Sequence, residues 1–157
     1  VRPLLGWLLG GFGTASWHQV AVALPYAALS VAVMLAHARV LNVLQLDEEQ
    51  AAQVGVPVER TKLVLVAAAS LATAAAVAVS GLIGFVGLIA PHAVRLLWGP
   101  DHRTLLPLAM LTGAAFLVLA DVAARLVLAP AELPVGVVTA FCGAPFFLYL
   151  LRRSTRV

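Results

Sequence analysis

The sequence predicts an all-α membrane protein that crosses the bilayer about five times and carries short helices in one polar loop. Its 157 residues are 62% hydrophobic and only 11% charged, whereas a soluble domain has about 25% charged residues. A soluble fold of about 150 residues leaves roughly 30% of its unfolded-chain surface in water. A soluble fold of this size could therefore not bury so much apolar surface. The apolar residues also fall into runs close to the roughly 20 residues that a helix needs to cross a bilayer. We therefore expect lipid to surround most of the chain.

Charge and cysteine content exclude several other classes of protein. The net charge is +3, but the basic residues lie scattered at segment ends without interleaved aromatic residues, so nucleic acid is not an expected partner. The single cysteine, Cys142, excludes an internal disulfide framework and any multi-cysteine metal site. Residues 1–13 lack the pattern of a secretory signal. Because the chain does not begin with Met, we expect it to be a fragment of a longer protein.

Five apolar runs are the predicted spans. They cover residues 20–40, 63–83, 85–99, 105–128 and 135–151. The third run is the shortest, since a helix over 85–99 reaches only about 22 Å. It can cross the membrane only if it includes residues 81–84, tilts little, or packs within protein instead of lipid.

Lysine and arginine residues predict the orientation of these spans. If the C-terminus lies in the cytoplasm, most basic residues beside the spans lie there too: Arg39, Arg60, Lys62, Arg103, Arg152, Arg153 and Arg156. Arg2 and Arg125 then fall on the outer side. An outer N-terminus and an inner C-terminus require an odd number of crossings, which supports counting the third run as one.

A polar segment, residues 44–62, interrupts the apolar runs on the predicted cytoplasmic side. Asp47 is a predicted N-cap, and Glu48 and Glu49 follow it in the first turn of a short helix. Gly55 is expected to end this helix and Pro57 to begin a second one. The segment is either a solvated connector or a docking element for a cytoplasmic partner.

Charged residues near the outer side form the next group of candidates. Asp121 and Arg125 lie four residues apart and share one helix face, so we predict a structural ion pair, with a role in gating or transport as the alternative. Glu132 lies in a stiff turn between two prolines. It is a candidate contact for a basic residue of an extracytoplasmic protein.

The third run contains polar residues that allow three interpretations. A metal site of His92, Asp101 and His102 suits the ligand preferences of zinc or iron, but the three residues lack a dense ligand spacing. A proton relay through His92 is a second possibility, although no further acidic residues extend it.

We favour an architectural role for the residues of this run. Gly84 and Gly87 loosen the turn out of the second span, and Pro91 bends or starts the short helix. His92 and Arg95 are expected to bond to backbone groups or neighbouring carboxylates inside the bundle.

Long ordered motifs resemble the C-terminal half of the FecCD type of ABC transporter permease. They are "SW" at Ser16, "LDEEQAAQVGV" from Leu46, "GLIGFVGLIAPHAVRLLWGPDHR" from Gly81 and "ADVAARLVLAPAELPVGVVTAFCGAPFFLYLLRR" from Ala120. Permeases of this type import iron-siderophores, haem or cobalamin, and the motifs are common to all three. The resemblance implies that residues 1–157 are the C-terminal part of a permease domain in the bacterial inner membrane.

The resemblance also implies partners for the chain. A second permease copy forms a homodimer or heterodimer with it, two cytoplasmic ABC ATPase subunits bind ATP, and an extracytoplasmic substrate-binding protein delivers the substrate. The chain itself would hold no cofactor and no catalytic site, and it has no Walker-type phosphate loop.

Specific residues take roles from the resemblance. Residues 44–62 match the coupling helices that enter a cleft of the ATPase, although Asp47 stands where the family commonly has glycine. The matching coupling residues are Glu48, Glu49, Ala51, Gly55, Val56 and Pro57. Gly84, Gly87, Pro91, His92 and Arg95 match a signature of the fold. Thr139 and Gly143 of the last span are candidates for lining the substrate pathway.

Two alternative functions remain open at this point. An ion-coupled secondary carrier would need carboxylates within the membrane at a broken helix, and only Asp121 meets that requirement. A membrane metalloenzyme would be centred on His92 and His102.

Overall fold

The computed structural model describes residues 7–127 and 133–154, and within these ranges the regular elements are all helices. Besides one turn at 7–9, the helices are α1 Trp17–Ala36, α2 Ala38–Leu44, α3 Glu48–Gln53, α4 Val58–Ser80, α5 Val86–Trp98, α6 His102–Val127 and α7 Val135–Ser154. Four of them, α1, α4, α6 and α7, are long and apolar enough to cross a membrane. The predicted all-α, polytopic fold is confirmed, with α5 as a shorter helix at the third apolar run.

The helices form a bundle with two distinct ends. α1 packs along α4, α5 packs along α6, and α7 contacts both α5 and α6. Residues 44–57 and the turn at 99–101 lie together at one end, called here the loop end. Residues 7–16, the turn after α4 and the start of α7 lie at the opposite end, called here the distal end.

Small residues set the spacing between α5 and α6. A Cβ added at Gly113 of α6 would lie 3.5 Å from the Ala90 Cβ of α5. Ala90 is buried. Because apolar side chains gain nothing by leaving lipid for protein, such close backbone approach is a main source of helix association in membranes.

The third apolar run, which is predicted to cross the membrane, consists of an extended segment followed by a short helix. Leu82 lies beside Gly136 at the start of α7, and Phe85 lies against Gly143 deeper in the same helix. An extended chain advances about 10 Å from Leu82 to Phe85, which is also the rise of α7 from Gly136 to Gly143. α5 has 13 residues and adds about 20 Å. The two parts together match the roughly 30 Å apolar thickness of a bilayer.

Two predicted boundaries at the loop end are wrong. The first span ends at Ala36 instead of residue 40, because His37 leaves helical geometry and its Nδ1 lies 2.8 Å from the carbonyl oxygen of Val33. Pro57 does not begin a separate short helix; it is the N-cap of the spanning helix α4. The polar residues after Pro57 therefore form the first turns of α4.

Candidate functional site

The polar loop contains one short helix, α3, with hydrogen bonds at both of its ends. The Asp47 carboxylate accepts a hydrogen bond from the backbone N–H of Glu49 at 3.4 Å, which confirms the predicted N-cap. Gly55 follows the helix with a φ of +87°, a conformation that favours glycine. The N–H of Val56 then donates to the carbonyl oxygen of Ala51 at 3.1 Å, and Ala51 is fully buried. These contacts fix both ends of α3.

The exposed surface of this loop combines acidic and apolar side chains. Glu48 forms an ion pair with Lys62 of α4, whereas the side chain of Glu49 is exposed. Leu46 and Val54 lie on either side of α3 and are 75% and 76% exposed. We call Leu46, Glu49 and Val54 the loop surface. Exposed apolar side chains at a polar end of the bundle are typical of a contact with another protein.

A hydrogen-bonded junction joins α2 to the turn between α5 and α6. The Asn42 amide donates from Nδ2 to Asp101 Oδ1 at 2.6 Å, and its Oδ1 accepts from the His102 backbone N–H at 2.8 Å. Gln45 donates from Nε2 to the carbonyl oxygen of Pro100 at 3.1 Å. We call these five residues the corner junction. It ties the segment before α3 to the loop ends of α5 and α6.

The charge of Asp101 favours this junction. The Arg103 backbone N–H, which donates to Oδ1 at 3.0 Å, and the Asn42 amide hold the Asp101 pKa below its ordinary value. A lowered pKa in the folded state means that the bonds are present above the ordinary aspartate pKa and are lost as pH falls through the lowered one. Asp101 is therefore ionised at neutral pH and accepts both bonds.

Sequence reasoning missed the two amides of the corner junction. Asn42 and Gln45 interrupt the apolar stretch "VLNVLQL" three residues apart, which places them on one helix face. That spacing was a usable signal for a polar contact. Their partners at residues 100–102 are distant in sequence, so no local pattern could identify them.

The signature residues lie in α5 and just before it. α5 begins at Val86, so Pro91 lies inside the helix, which excludes a helix start and leaves the predicted bend as its role. Among residues 7–127 and 133–154, the His92 ring meets Phe146 of α7 edge-on at 6.2 Å and 83° instead of a carboxylate. Arg95 is exposed in the last turn. A Cβ at Gly84 or Gly87 would meet nothing within 4 Å, so neither glycine is required by close packing in the described chain.

The residues of the alternative metal site do not come together. His92 lies against Phe146, whereas Asp101 and His102 bond to Asn42 of α2. Over residues 7–127 and 133–154, no group of three His, Cys, Asp or Glu side chains is placed to hold a metal ion.

Both candidate pathway residues of α7 are buried within the chain. The Thr139 hydroxyl donates to the carbonyl oxygen of Gly136 at 3.1 Å, and the residue has no exposed surface. Gly143 lies beneath Phe85, whose φ of +67° turns its ring onto the glycine. Their geometry indicates packing roles, and a pathway role for either residue stays a prediction.

Thr139→Val tests the pathway role. Valine keeps the shape of threonine and removes one hydroxyl that bonds within its own helix, so the change is expected to cost about 1 kcal/mol of stability. We expect substrate uptake by the full permease to stay within about twofold of wild type. A change in the apparent affinity for substrate at normal protein levels would instead place the hydroxyl on the pathway.

The predicted pair of Asp121 and Arg125 is confirmed. Arg125 Nε donates to Asp121 Oδ2 at 2.9 Å, and the two residues lie one helical turn apart near the distal end of α6. The two side chains remain 22% and 49% exposed, so the pair is partly open to its surroundings. Glu132, the predicted contact for an extracytoplasmic protein, lies outside the described residues.

Comparisons with known proteins agree on one family. The model of the FecCD transport family matches residues 1–153. The chain is 57% identical over 152 residues to the cobalamin import system permease protein BtuC of Halobacterium salinarum, covering 97% of this chain and 41% of that protein. It is 46% identical over 154 residues to the hemin transport system permease protein HmuU of Yersinia pestis, covering 98% and 46%.

A solved structure shows the same fold. A metal-chelate type ABC transporter in an inward-facing conformation matches the chain with a TM-score of 0.86 and 38% identity, over 96% of this chain and 50% of that one. The chain spans less than half the length of the two permeases that it matches. From the match over nearly its whole length and from these relatives, the chain belongs to the FecCD transport family.

Proposed function

We propose that this chain is the C-terminal part of the permease domain of a binding-protein-dependent ABC importer for iron-siderophore, haem or cobalamin. The structure of the loop carries this proposal. α3 is capped, and Leu46 and Val54 beside it are exposed, which suits a rigid contact with another subunit. The relatives support it, since their names describe cobalamin and hemin permeases. They give no support to an ion-coupled carrier or a metalloenzyme.

The proposed partners bind at opposite ends of the bundle. Two ATPase subunits bind ATP and contact the loop end of this permease and of a second copy, which forms a homodimer or a heterodimer with it. The substrate-binding protein docks at the distal end, where Glu132 is a candidate contact. The chain itself binds no cofactor and catalyses no reaction.

The proposed orientation places the loop end in the cytoplasm. Arg39, Arg60, Lys62 and Arg103 lie in or beside the elements that meet at this end, and basic residues favour the cytoplasmic side. The N-terminus of the chain is then outside and the C-terminus inside. The membrane is the inner membrane of a bacterial cell.

The proposed mechanism is alternating access driven by the ATPase subunits. When ATP draws these subunits together, α3 moves with them. α3 is attached to α4 through the Glu48–Lys62 ion pair and to α1 through α2. Movement of α3 therefore tilts the spanning helices on both sides of the loop and opens or closes the path at the distal end.

Replacing the apolar residues of the loop surface tests this function. In the full permease with its ATPase, Leu46→Asp combined with Val54→Asp is expected to lower ATPase co-purification and ATP-driven uptake at least about tenfold. The reason is that two carboxylates without partners would lose water on entering the contact. Both side chains are largely exposed in the chain, so its own fold should be preserved.

Trp17→Asp is the matched control. Trp17 is 89% exposed at the distal end, where an aspartate at the first position of α1 suits the helix dipole. This variant should retain wild-type co-purification of the ATPase. Normal co-purification and uptake by the Leu46 and Val54 double variant would contradict the proposed function.

A further inference from the structure

We infer that Asn42 is a positioning residue that transmits movement of the loop to the short crossing helix α5. This inference rests on the proposed function, in which an ATPase moves α3. The amide of Asn42 is used at both its atoms, since Nδ2 donates to Asp101 and Oδ1 accepts from the His102 backbone. Neither a carboxylate nor an apolar side chain can both donate and accept a hydrogen bond.

The connection from the loop to this amide is short. α2 ends at Leu44 and α3 begins at Glu48, so few residues separate Asn42 from the moving helix. α2 also packs against α6. Gln45 adds the bond to the Pro100 carbonyl on the same side. Displacement of α3 therefore displaces α2 together with the turn that it holds.

The turn held by Asn42 is itself stiff. Gly99 ends α5 with a φ of +90°, and its N–H donates to the carbonyl oxygen of Arg95 at 3.1 Å. Pro100 follows with a fixed φ, and the Thr104 hydroxyl donates to the Asp101 carbonyl oxygen at 3.1 Å. A force applied at Asp101 is thus passed to α5 and α6 instead of being absorbed by the turn.

At its other end α5 meets α7. Phe85 precedes the first residue of α5 and lies on Gly143 of α7. The short helix is therefore held by the corner junction at the loop end and by Phe85 at mid-depth. Contacts of this kind form a continuous path from the loop to the middle of the bundle. In this path, Asn42 is the residue that connects α2 to the turn between α5 and α6, which is distant in sequence.

The test exchanges the hydrogen-bond donor at residue 42 with the acceptor at residue 101. In the full permease–ATPase complex in proteoliposomes, Asn42→Asp places two carboxylates against each other. It should lower the ratio of substrate transported to ATP hydrolysed about tenfold, because a hydrogen bond to a charged group is lost. Asp101→Asn alone keeps an acceptor oxygen and should change this ratio by no more than about threefold. The double variant N42D/D101N restores a donor and an acceptor and should recover most of the ratio.

Two further variants separate a positioning role from a general fault. Gln19→Glu is the matched control, because this amide accepts from the Ser16 N–H at the distal end and a carboxylate can do the same; its ratio should equal wild type. Gln45→Leu removes the contacts of this amide with the Pro100 carbonyl oxygen and the His102 ring, keeps those of Asn42, and should lower the ratio about threefold. It provides a milder variant should Asn42→Asp fail to assemble.

The outcomes that overturn the inference are distinct. A wild-type ratio in Asn42→Asp overturns it, and so does a low ratio that the double variant fails to recover at equal amounts of assembled complex. A wild-type ratio in Gln45→Leu when Asn42→Asp does not assemble also overturns it. Absence of ATP-driven uptake in the wild-type complex would instead refute the proposed function.

Discussion

Gly143→Ala is expected to destabilise the permease by about 3 kcal/mol. A Cβ at this position would overlap the Phe85 Cβ and Cγ and would lie 2.6 Å from its Cδ1. Overpacking of a buried site costs about 1–3 kcal/mol. Phe85 cannot move away freely, because its backbone is already strained: a φ of +67° costs a non-glycine residue roughly 1–2 kcal/mol. The measurement is the thermal unfolding midpoint of the full permease in detergent.

Gly87→Ala is the matched control for Gly143→Ala. Both glycines lie in helices, but a Cβ at Gly87 would meet nothing within 4 Å. Alanine should raise stability there by about 0.5–1 kcal/mol, since it favours helix more than glycine does. Replacing Phe85 by glycine in the Gly143→Ala background should recover part of the loss, because glycine accepts the positive φ and vacates the space. Equal midpoints for Gly143→Ala and wild type would refute the close packing.

Gly10→Ala is expected to have an effect of similar size at the distal end. Gly10 has a φ of +69°, and a Cβ there would overlap the carbonyl group of Leu82 in the turn after α4. The left-handed conformation costs an alanine about 1–2 kcal/mol. Since the obstacle is backbone, relief of the overlap must shift the whole turn. We expect a loss of about 3 kcal/mol in total, measured as the same unfolding midpoint.

The neighbouring residue supplies the control. Gly11 lacks a positive φ, and the nearest atom to an added Cβ is the Val135 nitrogen at 4.0 Å. Gly11→Ala should therefore leave the midpoint within about 2 °C of wild type. Similar midpoints for the two alanine variants would show that the distal end does not depend on the contact between Gly10 and Leu82.

The helices could be predicted from sequence because their signal is local. A run of apolar residues identifies a span wherever the partners of the span lie, and Asp47 caps α3 through a bond to a residue two positions away. The ion pair of Asp121 and Arg125 was predicted for the same reason, since it joins residues one turn apart. Each of these features depends on residues that are close in sequence.

The contacts that organise the bundle could not be predicted in this way. Asn42 and Asp101 are polar residues that are in contact although they lie 59 positions apart in the sequence. Gly136 is an ordinary helical glycine in sequence, yet a Cβ there would overlap the carbonyl oxygen of Leu9. Both features depend on the packing of distant segments. His92 was expected to bond to polar groups because of its own chemistry, whereas its neighbour in space is the ring of Phe146.

The extended part of the third crossing has a consequence for biogenesis. Residues 82–84 lie outside any helix, and backbone amides without helical bonds are strongly disfavoured in hydrocarbon. The following 13-residue helix is also too short to insert by its own hydrophobicity. This segment therefore depends on a neighbour that shields its backbone, and α7, which lies alongside it, follows it in the chain. We expect residues 82–98 to integrate stably into the membrane only after translation has passed Gly143.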